Sequence, residues 1–147
     1  MGIRLLMCTA LGMLLAAGAW AADGGAAPPV TPLQAEMREL TAAMQVILVA
    51  IANNELDAVT PAIHKVHDAR TNTEHALERH EVVLPRNGDK LADFIKQDEA
   101  FHGELVKLVK AARSHDLPTA TAQVGVILNG CTACHVKYRF QEPKKAP

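Results

Sequence analysis

The chain has 147 residues, 49% of them apolar and only 3% aromatic, with a formal net charge of −1. That length and apolar share suit one compact domain rather than two. No basic stripe is present, which argues against a nucleic-acid partner.

Residues 1–21 read as a secretory signal peptide. Arg4 is the single early charge, an apolar run extends from Leu5 to Ala17, and Ala19-Trp20-Ala21 forms an A-x-A cleavage site. The run is too short for a comfortable membrane span, so the mature protein is expected to have none and to reside in the periplasm. A lipid anchor on Cys8 is disfavoured, because Met7 is large and the apolar run lies after the cysteine. Cleavage after Ala21 removes Cys8, Trp20 and three of the five methionines, leaving Cys131, Cys134, Met37 and Met44. It also lowers the 15 basic side chains by Arg4 to 14, against 16 acidic ones, a balance of minus two. In an oxidising compartment the two remaining thiols would tend to oxidise unless something consumes them.

Residues 22–30, ADGGAAPPV, have the small, Gly- and Pro-rich character of a disordered leader. The domain is expected over 31–140, with a short tail over 141–147. Thr31-Pro32 reads as an N-cap followed by proline at the first helical position. Leu33, Met37, Leu40, Met44, Ile47 and Ile51 then recur at helical spacing, and Asn53-Asn54 ends the helix. A second start at Thr60-Pro61 opens a more polar helix to about His80, closed by Leu84-Pro85-Arg86-Asn87-Gly88. Asp89 is the expected cap of a third helix with Leu91, Phe94, Phe101, Leu105, Leu108 and Ala112 on one side, interrupted by Asp98. Thr119 is the expected start of a fourth, carrying Val124, Ile127, Leu128, Cys131, His135 and Tyr138 inward. Four helices of this length span about 30 Å each. Short connections make neighbours antiparallel, so the expected fold is all-α, an up-down-up-down four-helix bundle.

The fourth helix carries Cys131-Thr132-Ala133-Cys134-His135. C-x-x-C-H is the attachment pattern of a c-type haem. Each cysteine sulfur adds to a vinyl group of the porphyrin, and the adjacent histidine supplies the proximal iron ligand. A zinc site lacks a second ligand pair, a thioredoxin-like pair lacks its βαβ context, and a disulfide across two residues would be strained and close almost no loop. One covalent haem would also fill the interior of a chain poor in aromatics.

The sixth iron position decides between functions. In an antiparallel bundle the start of the first helix lies beside the end of the fourth, which places Met37 and His135 both about 7 to 8 Å in from the same end. Met44 is two turns deeper, about 10 Å along the axis, and reads as core. His75 and His80 are level with the haem as lesser rivals. His64 and His67 fall at the far end, and His102 about 18 Å away. Most of these histidines read as solvated surface groups. Lys137 and Arg139 suit either haem propionates or the negative end of the helix dipole.

With these residues in place the chain resembles the class II c-type cytochromes, the group of cytochrome c-prime and its low-spin relatives. The resemblance rests on Cys131-Thr132-Ala133-Cys134-His135-Val136-Lys137-Tyr138-Arg139, on EMRELTAAMQVI in the first helix and on FIKQDEAFHGELVKLVKAA in the third. It covers about residues 31 to 140, and the second helix, rich in histidine and charge, departs from the pattern. It implies Met37 as the axial sulfur of a low-spin member and hence one-electron transfer with redox proteins as partners, not an enzyme. The alternative is a five-coordinate haem that binds NO or CO, with Leu33 or Leu40 walling the pocket. A further alternative is metal handling by His64 and His67. First-helix faces of such bundles can pair into a homodimer.

Overall fold

A computed structural model of the chain describes residues 29–139. The expected signal peptide, most of the leader and the tail lie outside the described residues. Among those residues there are four α-helices and no strand: α1 (Pro32–Asn53), α2 (Val59–Glu78), α3 (Leu91–Arg113) and α4 (Leu117–Cys134). The expected all-helical bundle is the observed one.

Local chemistry sets the ends of α1 as expected. The Thr31 hydroxyl accepts the Gln34 N–H at 3.2 Å while Gln34 Oε1 accepts the Thr31 N–H at 3.1 Å, a reciprocal capping box with Pro32 at the first position. Asn54 closes the helix in the left-handed conformation at φ 58°.

The other three starts differ from expectation. α2 begins at Val59, after a tight 3-10 turn over Leu56–Ala58 held by buried Leu56, so Thr60 and Pro61 lie inside the first turn. Proline is tolerated there because the N–H it lacks has no partner in the first turn. α3 begins at Leu91 without a side-chain cap. Asp89 belongs to a 3-10 turn over Gly88–Lys90, started by Asn87 at φ 54°. α4 begins two residues before Thr119, because Asp116 Oδ1 accepts the Thr119 N–H at 3.1 Å and is the cap. At its other end α4 passes at Cys134 into a wider π turn over His135–Arg139.

The main core gathers Leu40, Met44 and Ile47 of α1, Ile63 and Val66 of α2, Leu105 and Leu108 of α3, and Val124 and Ile127 of α4. The polar second helix therefore packs by a narrow face of Val59, Ala62, Ile63, Val66, Thr73 and Ala76. Leu128, expected inward, is exposed, because the inner face of α4 runs through Ala120, Val124, Ile127 and Cys131 and the next residue is turned about 100° away. A second cluster of Leu84, Phe94 and Tyr138 takes in Leu33 and Leu91, so the start of α1 lies at the same end as the close of α4. α1 packs mainly on α2 and α3 on α4, whereas α1 and α4 touch lightly.

Candidate cofactor site

Cys131 and Cys134 stand three residues apart on α4, a spacing that puts them on one helix face. Both are half-buried, and they are not bonded to each other. Cys131 packs against the main core. Cys134 borders an open groove of about 200 Å3 with Gln97, Ala100, Phe101, Glu104, Val126 and Gly130. Burial pushes both thiols up from their ordinary values; at Cys134 the nearby Asp98 carboxylate adds to this. Gly130 lets the Phe101 ring approach closely: a Cβ there would fall 2.9 Å from Phe101 Cδ2, so the ring would have to shift.

His135 opens the π turn, half-buried. Burial, and then the charge of Arg139, push its pKa down, which favours the neutral imidazole that metals take as ligand. The turn is clasped from the α2–α3 loop. Arg86 N–H donates to Tyr138 O at 3.0 Å, Arg86 Nη1 to Val136 O at 3.2 Å and Asn87 Nδ2 to Lys137 O at 2.6 Å. These donors satisfy carbonyls that a helix end leaves open. Tyr138 is buried edge-on against Phe94, and Lys137 lies over its ring and 4.0 Å from Asp93.

Met37 is half-buried against the main core, as is Cys131, and Met44 is fully within it. Besides His135, the histidines are surface groups as expected, with one exception. His64, His67, His75, His80 and His115 are exposed. His102 is 3% exposed, and its Nε2 lies 2.9 Å from Oε1 of Glu36, which is wholly buried. The His102 imidazole therefore meets α1 at Glu36, in the second turn of that helix. Glu36 is about 6 Å into α1 and His102 about 16 Å into α3, a difference bridged by the two side chains together with a stagger of α3 against α1.

Asp98 belongs to the same cluster, 3.6 Å from His102 Nε2 and 3.3 Å from Arg70 Nη2. Burial raises its pKa. The sequence reading missed Glu36 and passed over Asp98, although the signal was present. Glu36 continues the stripe of Leu40, Ala43, Ile47 and Ala50, and Asp98 and His102 continue that of Leu105.

The donor set fits a haem. Two thiols at the attachment spacing and a neutral imidazole beside them share one end of the bundle with Met37. The groove beside Cys134 is smaller than a porphyrin, so the fit lies in the donor chemistry and in the light α1–α4 contact.

Comparison with family profiles and with characterised protein sequences gives no match. Two solved structures share the fold. One is a nitrosyl complex of a variant of cytochrome c prime from Alcaligenes xylosoxidans, with a TM-score of 0.57 and 19% identity over 75% of this chain and 94% of that one. The other is a nitric oxide complex of a second variant of that protein, with a TM-score of 0.57 and 18% identity over 78% of this chain and 99% of that one. At these identities the likeness is one of fold, a four-helix bundle.

Proposed function

We propose that this chain is an exported, periplasmic c-type haem protein that carries single electrons. Cys131 and Cys134 would hold one haem, His135 would be the proximal ligand and Met37 the distal one. The observation that carries the reading is C-x-x-C-H closing the last helix of a bundle with the cytochrome c prime fold.

A bound haem supplies an iron that cycles between ferrous and ferric states. Each thiol would add its S–H across a vinyl C=C, forming a C–S bond and leaving the hydrogen on the neighbouring carbon, with no net oxidation. The clasp from Arg86 and Asn87 steadies the turn that carries His135. A thioether ligand from Met37 would raise the potential relative to two imidazoles, and the two side chains, His135 and Met37, would hold the iron with little rearrangement between its states. No helix among the described residues is long and apolar enough to cross a membrane, which is compatible with a carrier that meets its redox partners by diffusion.

A second reading, a five-coordinate haem that binds NO or CO, is favoured by the nitric oxide complexes in which both structural neighbours are described. Leu33 and Leu40, one turn to either side of Met37, would then wall the distal side. Optical spectra of both oxidation states, with and without CO, separate the two. Unchanged reduced spectra under CO support the carrier, and ready CO binding by the unmodified protein supports the second reading.

A further inference from the structure

Glu36, Asp98 and His102 bring two carboxylates and an imidazole together inside the bundle, on residues that the proposed haem ligation does not use. One donor atom from each lies within 4.8 Å of the others. Ligand atoms held at ~2.0–2.2 Å around a tetrahedral zinc ion stand ~3.3–3.6 Å apart. The 3.6 Å between His102 Nε2 and Asp98 Oδ1 already has that spacing. The 2.9 Å between His102 Nε2 and Glu36 Oε1 is a hydrogen-bond distance that would open by about 0.4 Å around an ion.

Two independent features point to a missing partner. Glu36 is 0% exposed, yet among the described residues its Oε2, on the same carboxylate as the Oε1 facing His102 Nε2, has no hydrogen-bond partner. Buried polar atoms are ordinarily satisfied. The surroundings are also arranged as an outer shell. Arg70 Nη2 holds Asp98 Oδ2 at 3.3 Å and leaves Oδ1 beside His102, the orienting role that partners behind metal-bound carboxylates take. One nitrogen and two carboxylates suit zinc or a neighbouring divalent ion better than calcium, which takes oxygen alone.

We propose that Glu36, Asp98 and His102 form a site for one divalent transition-metal ion, on residues separate from the Cys131–His135 motif. Calorimetric titration of the chelator-dialysed mature protein with zinc tests it, and colour retained by the chain reports haem attachment independently. One zinc ion binds per chain. Glu36→Gln and His102→Ala each weaken binding at least about tenfold, and Arg70→Gln about tenfold. A His64→Ala/His67→Ala double variant binds as the parent does. Glu36→Gln is nearly isosteric, and far-UV circular dichroism verifies that each variant is folded. Absence of one-to-one binding overturns the proposal. So does binding that survives Glu36→Gln and His102→Ala while being lost with His64 and His67.

Discussion

The imidazole of His102 on α3 is 2.9 Å from the carboxylate of Glu36 on α1, both inside the bundle and 66 residues apart in sequence. This bond joins α1 to α3, and so links the α1/α2 pair to the α3/α4 pair. Glu36→Ala removes the hydrogen bond that the buried His102 Nε2 makes, leaving Asp98 at 3.6 Å, and should cost about 1–3 kcal/mol. Urea unfolding of Glu36→Ala, His102→Ala and the double variant checks this. A pairwise coupling of about 0.5–3 kcal/mol is expected, and strictly additive losses would show that the bond contributes nothing.

Gly130 faces the Phe101 ring, with 2.9 Å between its would-be Cβ and Phe101 Cδ2. Gly130→Ala should gain about 1 kcal/mol of helix propensity and lose about 1–3 kcal/mol to overpacking, a net destabilisation. Introduced together with Phe101→Leu, the same change should become neutral or stabilising. Thermal melts of the four proteins read the sign directly.

Met37 and Met44 share α1 but differ in burial. In haem-loaded protein, Met37→Ala should open the reduced iron to CO with a small loss of stability. Met44→Ala should lower stability by about 2–5 kcal/mol and leave the iron closed. CO titration followed by denaturant unfolding separates the two effects.

Asp116 is held below the ordinary carboxylate range by the Thr119 side chain and then by the Thr119 N–H. A depressed folded-state pKa makes the cap's contribution complete above the unfolded value of ~3.9 and lost as pH falls through the lower folded value. Stability should therefore drop more steeply between about pH 4 and pH 2 in the parent than in Asp116→Asn, which caps without titrating. Melting temperatures across that range measure the difference.

Much of this was legible from local patterns. The Thr31 capping box, the Asn54 stop and the apolar stripes of α1 and α3 express periodicity and cap chemistry, which neighbouring residues alone determine. The starts of α2, α3 and α4 were less legible. Leu56, Asn87 and Asp116 compete there with equally good signals at Thr60, Asp89 and Thr119, and backbone turn geometry decides between them. The interior Glu36–His102–Asp98 cluster depends on the stagger of α3 against α1, a tertiary quantity that helix periodicity does not encode. Asp98 stands in the sequence as a flaw in a stripe, and His102 as one of many surface histidines. The clasp of Arg86 and Asn87 on the carbonyls after His135 spans 50 residues and leaves no local trace.

The central claim is covalent haem on Cys131 and Cys134. It is tested most directly by intact-mass and visible spectroscopy of the protein exported from a host competent in c-type haem maturation. The expected product is a coloured chain, heavier by one haem, whose colour resists acid-acetone extraction and whose two thiols do not alkylate. A colourless chain of unmodified mass with two alkylatable thiols would contradict it.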